Sequence, residues 1–163
     1  MKKITLLRHG DSLYQDASIT DWSRPLSPEG EKECHDVAKF VKDCHPSPSK
    51  IISSNARRTV ETVKILLEKN KWDPGILNLD KELYLASAKL LTEKIQSQSE
   101  SINDLIIVGH NPGLSELSSS LLKQSIYLST SGCVSLNINL DVWDLEAEIM
   151  ITDKNVYFSD KNS

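Results

Sequence analysis

The sequence predicts an α/β three-layer sandwich: a mostly parallel central sheet with an antiparallel edge, covered by helices on both faces. Three observations carry this expectation. Candidate strands alternate with candidate helices along most of the chain, the pattern of α/β folds. Two of the strands, 3–8 and 104–109, are short continuous apolar runs, as expected where both strand faces are covered. The last two, 133–140 and 146–152, instead alternate apolar and polar residues, which marks a half-covered antiparallel hairpin at a sheet edge.

In chain order, strand 3–8 holds Ile4-Thr5-Leu6-Leu7 and stops at Arg8-His9-Gly10. Ser27-Pro28-Glu29 then supplies a helix N-cap, a proline in the first turn and an acid at the positive helix end. Val37, Ala38, Val41 and Cys44 follow on one face of that helix. Strand 50–53 leads through Ser54 and Asn55 into a helix over 56–69, with Ser54 as candidate cap. Strand 76–79, a helix over 86–97 and strand 104–109 come next. A fourth helix opens at Asn111-Pro112 and turns Leu114, Leu117 and Leu121 inward. In the expected hairpin, Val134, Leu136, Ile138 and Leu140 alternate in one strand and Ala147, Ile149 and Ile151 in the other. The polar tail after about 153 is expected to be loose, with Val156-Tyr157-Phe158 as a further candidate edge strand.

At 163 residues the chain reads as one domain, 1–163, with no linker or internal repeat to divide it. A chain of that length buries roughly 70% of its unfolded surface and can build a core without staples. Its formal charge of −4 argues against nucleic-acid binding, which needs a basic face, so any anion site must be local. No stretch approaches the roughly 20 apolar residues of a membrane span, and Arg8-His9 interrupts the only apolar run near the start. Three cysteines, an odd count, form no disulfide framework, which points to a reducing cytoplasm.

The chemistry concentrates at three strand ends. Arg8-His9-Gly10 closes the first apolar run, and His110-Asn111-Pro112-Gly113 follows Leu105-Ile106-Ile107-Val108-Gly109. If these strands lie parallel in one sheet, both imidazoles reach the rim where open α/β sheets bind ligands. The third end is Ser53-Ser54-Asn55-Ala56-Arg57-Arg58-Thr59, where Arg57 or Arg58 offers a planar donor fork for phosphate oxygens. Helix N-termini after Ser54 and Asn111 add unpaired N–H groups of favourable polarity. Guanidinium groups stabilise charge in phosphoryl transfer, and a neutral histidine held in one tautomer is a competent phosphorus nucleophile.

These motifs resemble those of the histidine phosphatase superfamily, the phosphoglycerate-mutase-like fold. Arg8-His9-Gly10 is similar to its first signature. Ser54-Asn55-Ala56-Arg57-Arg58-Thr59-Val60-Glu61-Thr62 resembles its Ser-Pro-x-x-Arg-x-x-x-Thr segment, whose spacing selects Arg58 over Arg57. Val108-Gly109-His110-Asn111-Pro112-Gly113 is similar to its second-histidine segment. The small size, Arg24-Pro25-Leu26-Ser27 with Gly30, and Glu82-Leu83-Tyr84 resemble the SixA-type phosphohistidine phosphatases. The resemblance implies that His9 becomes transiently phosphorylated, that Arg8, Arg58 and His110 bind the phosphoryl group, and that neither metal nor cofactor is needed. It makes Glu82 a candidate acid or base and brings Ser131, in Thr130-Ser131-Gly132, towards the phosphate. Arg24 either reaches the site or pairs with an acid. Asn55 departs from the family's proline.

The expected activity is removal of phosphate from phosphohistidine on a protein partner such as a phosphotransfer domain, by a monomer, in signal transduction. A small-molecule phosphomonoesterase and a catalytically poor phosphoprotein-binding module are the alternatives. Missing insertions weigh against a mutase. Cys34-His35 and Cys44-His45 mimic metal-site spacing but fall near an apolar helix stripe, so packing is their expected role, as it is for Cys133. Asp11 reads as a turn residue, and Trp22, Trp72 and Trp143 are too scattered to form a binding stripe.

Overall fold

A computed structural model describes residues 1–14 and 17–159. The ten main elements are β1 (Lys2–Arg8), α1 (Pro28–Cys44), β2 (Lys50–Ser53), α2 (Arg57–Asn70), β3 (Leu77–Leu79), α3 (Ala88–Gln96), β4 (Asp104–Gly109), α4 (Gly113–Leu122), β5 (Cys133–Ile138) and β6 (Ile151–Tyr157). Short 3₁₀ turns occupy Asp21–Ser23, Pro74–Ile76 and Lys81–Leu83. The six strands form one sheet in the order β3-β2-β4-β1-β5-β6. The first four in that order are parallel, while β5 runs antiparallel to both β1 and β6. The expected α/β/α sandwich is therefore the fold.

Each face of the sheet carries its own core. Leu7, Ile51, Ile106 and Val108 pack under Val37, Ala38 and Val41 of α1 and Val63 and Leu66 of α2. Ile4, Leu6, Leu105 and Ile107 pack on the opposite face against Leu91 and Ile95 of α3 and Leu114 and Leu117 of α4. Covering both faces is why β1 and β4 read as unbroken apolar runs. Among the described residues no helix is long and apolar enough to cross a membrane.

Three expectations are corrected. Ser54 does not cap α2; the N-cap is Ala56, without a side-chain cap, and Ser54 Oγ instead accepts from the Ala56 N–H at 3.2 Å. The last strand is not 146–152. Asp144 Oδ1 accepts from the N–H groups of Glu146 and Ala147, both at 3.1 Å, which commits those donors to a turn rather than a ladder. Pairing with β5 begins at Ile151, opposite Ile138, and continues to Tyr157 opposite Cys133. The chain after 153 is accordingly an edge strand through Tyr157, whose ring lies 5.2 Å from that of Phe40; residues 160–163 lie outside the described residues.

Candidate active site

Register brings the three predicted strand ends together. Arg8 pairs with Gly109 across β1 and β4, and Ser53 pairs with Val108 across β2 and β4. His9, His110 and Ser54 therefore leave the sheet on one rim, with the two imidazole centroids 5.3 Å apart. Glycine makes the rim compact. A Cβ on Gly30, in the first turn of α1, would lie 2.0 Å from the Asp11 carbonyl oxygen, so only hydrogen lets this helix seat on the segment after His9. Ser27, the N-cap of α1, ties the same segment by donating to Asp11 Oδ2 at 2.7 Å.

His9 is 6% exposed, and its Nδ1–H donates to the Gly10 carbonyl at 2.7 Å. That bond assigns the tautomer and leaves the lone pair on Nε2, which faces Arg58 Nε at 3.3 Å. Arg58 stands in the first turn of α2, 3% exposed, with Nη2 3.3 Å from His110 Nδ1. A guanidinium only donates, so His110 Nδ1 accepts and its Nε2–H donates to Ser54 Oγ at 2.8 Å. Arg8 gives Nη1 to the Leu128 carbonyl at 3.2 Å, but its Nε is buried without a partner. Only three such orphaned side-chain atoms occur among the described residues, and Arg8 is the one of these residues that lines the pocket.

The electrostatics follow from burial among cations. Desolvation pulls His9 well below its ordinary value; the Gly10 carbonyl opposes this, while His110, Arg58 and Arg8 add to it. His110 is pushed down to about 3, first by burial and then by Arg58. Both rings are neutral near pH 7. The pocket they share with Arg8, Arg58, Arg24, Asn111 and Thr130 has a volume of about 200 Å³.

The profile of the histidine phosphatase superfamily (branch 1) matches residues 4–101, more than half of the chain. The chain belongs to this superfamily. A curated chloroplastic protein of Arabidopsis thaliana, uncharacterized, is 29% identical over 151 residues, 88% of this chain and 69% of the relative. An uncharacterized Mycobacterium tuberculosis protein is 28% identical over 114 residues, and the match spans 68% of this chain and 66% of that relative. Among solved structures, a SixA from Agrobacterium tumefaciens aligns with a TM-score of 0.78 at 22% identity, covering 94% of this chain and 97% of the other. A protein histidine phosphatase SixA in complex with tungstate aligns at 0.77 and 19% identity, over 94% and 96%. A mycobacterial glucosyl-3-phosphoglycerate phosphatase with VO3 aligns at 0.62 and 16% identity, over 94% and 98%.

Within this histidine phosphatase fold, the structure places the remaining candidates unevenly. Arg24 lines the pocket and also pairs with an acid, donating to Asp21 Oδ1 at 2.8 Å. Glu82 stays outside: Leu83 turns into the core, and the Glu82 carboxylate points to Lys94 at 3.3 Å. Ser131 is fully buried, with Oγ 3.8 Å from Cys34 Sγ, and Thr130 lines the pocket in its place. Ser131 has a left-handed backbone (φ 57°), and its side chain lies in the interior. Arg57 is outward and pairs with Glu61 at 3.3 Å, as the family spacing implies.

Asp21 and Tyr84 escaped the sequence reading. Asp21 accepts from Arg58 Nη1 through its carbonyl at 2.7 Å and from Nη2 through Oδ2 at 3.1 Å, and the Tyr84 hydroxyl donates to the same Oδ2. The Tyr84 bond, then Arg24 and Arg58, hold the Asp21 carboxyl well below the usual carboxylate range. A signal existed for Tyr84, two residues beyond Glu82 and across a turn that buries Leu83. Asn55, where the family has proline, accepts from the Trp22 indole N–H at 3.0 Å and so steadies the Asp21–Ser23 turn.

Proposed function

We propose that this protein is a metal-independent phosphatase that transfers a phosphoryl group to His9 Nε2 and then to water. Its proposed substrate is phosphohistidine on a partner protein such as a phosphotransfer domain. The observation that carries this reading is the His9 tautomer, fixed by Nδ1 on Gly10, with Nε2 held against Arg58 Nε in a pocket that Arg8 and His110 also line.

In the first step the Nε2 lone pair forms a bond to phosphorus, and the phosphorus–nitrogen bond of the substrate breaks. The departing imidazole nitrogen takes that electron pair, while its other ring nitrogen keeps a proton, so neutral imidazole leaves. In the second step water attacks phospho-His9, the electron pair returns to Nε2, and the water proton passes to solvent. Arg8 and Arg58 line the pocket where charge develops on the phosphoryl oxygens, with His110 beside Arg58, and such cationic donors are worth most in a site shielded from water.

The choice of leaving group rests on the acids at the mouth. An alkoxide needs a strong proton donor, but Asp21 is held ionised by Tyr84, Arg24 and Arg58, and Glu82 is turned to Lys94. Asp11 is engaged by Ser27. Phosphoimidazole needs no such donor. The test compares kcat/KM on a phosphohistidine protein with that on simple phosphate esters, with and without a chelator. Faster turnover of phosphohistidine, unaffected by the chelator, is expected. Preference for the esters would overturn the substrate assignment, and loss of activity with chelator would overturn the metal-independent mechanism.

A further inference from the structure

We propose that the apolar rim of this pocket is a docking surface for a folded protein carrying the phosphohistidine, an inference that rests on the substrate reading above. The first argument is size. A pocket of about 200 Å³ falls short of the roughly 300–1,000 Å³ typical of sites that enclose a small molecule. It holds the phosphoryl group and the near part of the leaving group, so the rest of the substrate lies on the rim.

That rim is apolar where solvent would favour polar groups. Tyr14 is 89% exposed, Tyr127 68%, Leu85 52% and Trp22 44%. Two of them line the pocket and two flank residues that do or that bond to them. Tyr14 and Leu85 line the pocket, the Tyr127 hydroxyl lies 3.4 Å from Arg8 Nη1, and Trp22 adjoins Asp21 and is fixed to Asn55. Exposed apolar groups gathered in one place, with aromatic anchors and arginine among them, mark interaction sites.

The rim is also held in shape. The Arg24 guanidinium stacks on the Tyr14 ring at 3.9 Å, and Arg8 lies 5.9 Å from the Tyr127 ring centre. Leu85 has a φ of 51°, a left-handed conformation that leucine rarely adopts. Its neighbours explain the strain: Leu83 and Ala86 are buried and Tyr84 is bound to Asp21, so the turn pushes Leu85 outward. Strained residues kept at a site motivate a functional reading. Charge adds direction. The chain carries −4 overall, yet Arg8, Arg24 and Arg58 outnumber the Asp11 and Asp21 carboxylates at this mouth, which guides a phosphorylated surface here rather than elsewhere.

The test uses the full chain and two substrates, a phosphorylated histidine phosphotransfer domain and free phosphohistidine. The readout is the ratio of their kcat/KM values. Wild type is expected to favour the domain by about tenfold or more, and Leu85→Gly and Trp22→Ser each to reduce that ratio about fivefold, in keeping with apolar interface anchors. Glycine relaxes the left-handed backbone, so Leu85→Gly tests the contact without risk to folding. An unchanged ratio in both variants, with brisk turnover of phosphohistidine, would overturn the rim alone. Preference for esters over both phosphohistidine forms would overturn it together with the substrate reading. A doubled mass in solution that reverts in Leu85→Gly would overturn it in favour of a second copy of this chain as the occupant.

Discussion

Near the start of β1, Lys2 is 1% exposed and Thr5 fully buried, and His9 just beyond its end is 6% exposed. Burial is nearly the same; the surroundings are not. Lys2 gives its ammonium to the carbonyls of Glu100 and Ile102 and to Asn103 Oδ1, which uses all three donors. His45, also fully buried, meets the Thr5 hydroxyl through Nε2 and the Asp104 carboxylate through Nδ1. His9 has Nδ1 anchored on Gly10 and Nε2 accepting from Arg58 Nε, and both residues line an open pocket together with Arg8. The lesson is that a candidate functional polar group is recognised by opening onto a pocket among cationic partners, not by being buried.

The sharpest way to break this comparison is to remove each histidine. His9→Ala is expected to lower kcat by about 10⁴-fold or more, because the nucleophile itself is lost. His45→Ala is expected to leave kcat within about twofold while costing about 2–4 kcal/mol of stability, since it strands buried partners and leaves a cavity. Kinetics together with urea unfolding checks both; a large loss of kcat in a folded His45→Ala protein would erase the contrast.

Next in size come the adjacent arginines. Arg58→Ala is expected to lower kcat/KM about 10²–10³-fold, the effect of losing preorganised donors at developing charge. Arg57→Ala, which loses only an exposed pair with Glu61, should change it less than about twofold. Equal losses in steady-state kinetics would contradict the assignment of Arg58.

Asp21 gives a smaller effect of opposite sign. Its Oδ2 occupies Arg58 Nη2, a donor an anion would use, so Asp21→Ala is expected to bind phosphate or tungstate about tenfold more tightly. Calorimetric titration reads this directly, and weaker binding would mean that Asp21 serves chiefly to position the two arginines.

A last effect, read as stability rather than as rate or affinity, is on the pH dependence of unfolding. The unfolded chain protonates His9 and His110 near the ordinary 6.5, whereas burial holds both neutral in the fold, His110 down to about 3. The unfolded state thus binds more protons, and stability falls as pH drops from about 6.5 towards 5, by up to about 1.4 kcal/mol per unit per group. Urea midpoints across that window measure it. A flat profile would mean that the folded rings accept protons freely.

The parts of this site legible in the sequence are those carried by the sheet. A covered strand must be apolar throughout, so the polar groups that end it, Arg8-His9 and His110, stand out as departures. Arg58 needed the family spacing, because a helix surface tolerates either arginine. Asp21 was not legible and Tyr84 only as part of the Glu82-Leu83-Tyr84 segment: Asp21 meets Arg58 from one loop and Tyr84 meets Asp21 from another far away in sequence, and short polar turns carry no periodicity. Glu82 misled for a related reason, since which residue of a 3₁₀ turn faces the site depends on which one, here Leu83, fills the core. The last strand hid as well. Edge strand β6 leaves Thr152, Asp153, Lys154 and Asn155 exposed, whereas 146–152 alternates better but has its first N–H groups committed to Asp144.

Rapid quenching of the protein with a phosphohistidine substrate, followed by mapping of the phosphorylated residue, tests the central claim most directly. The account predicts one acid-labile phosphoryl group on Nε2 of His9, absent from His9→Ala. Phosphate found on another residue, or full turnover with His9 never labelled, would contradict it.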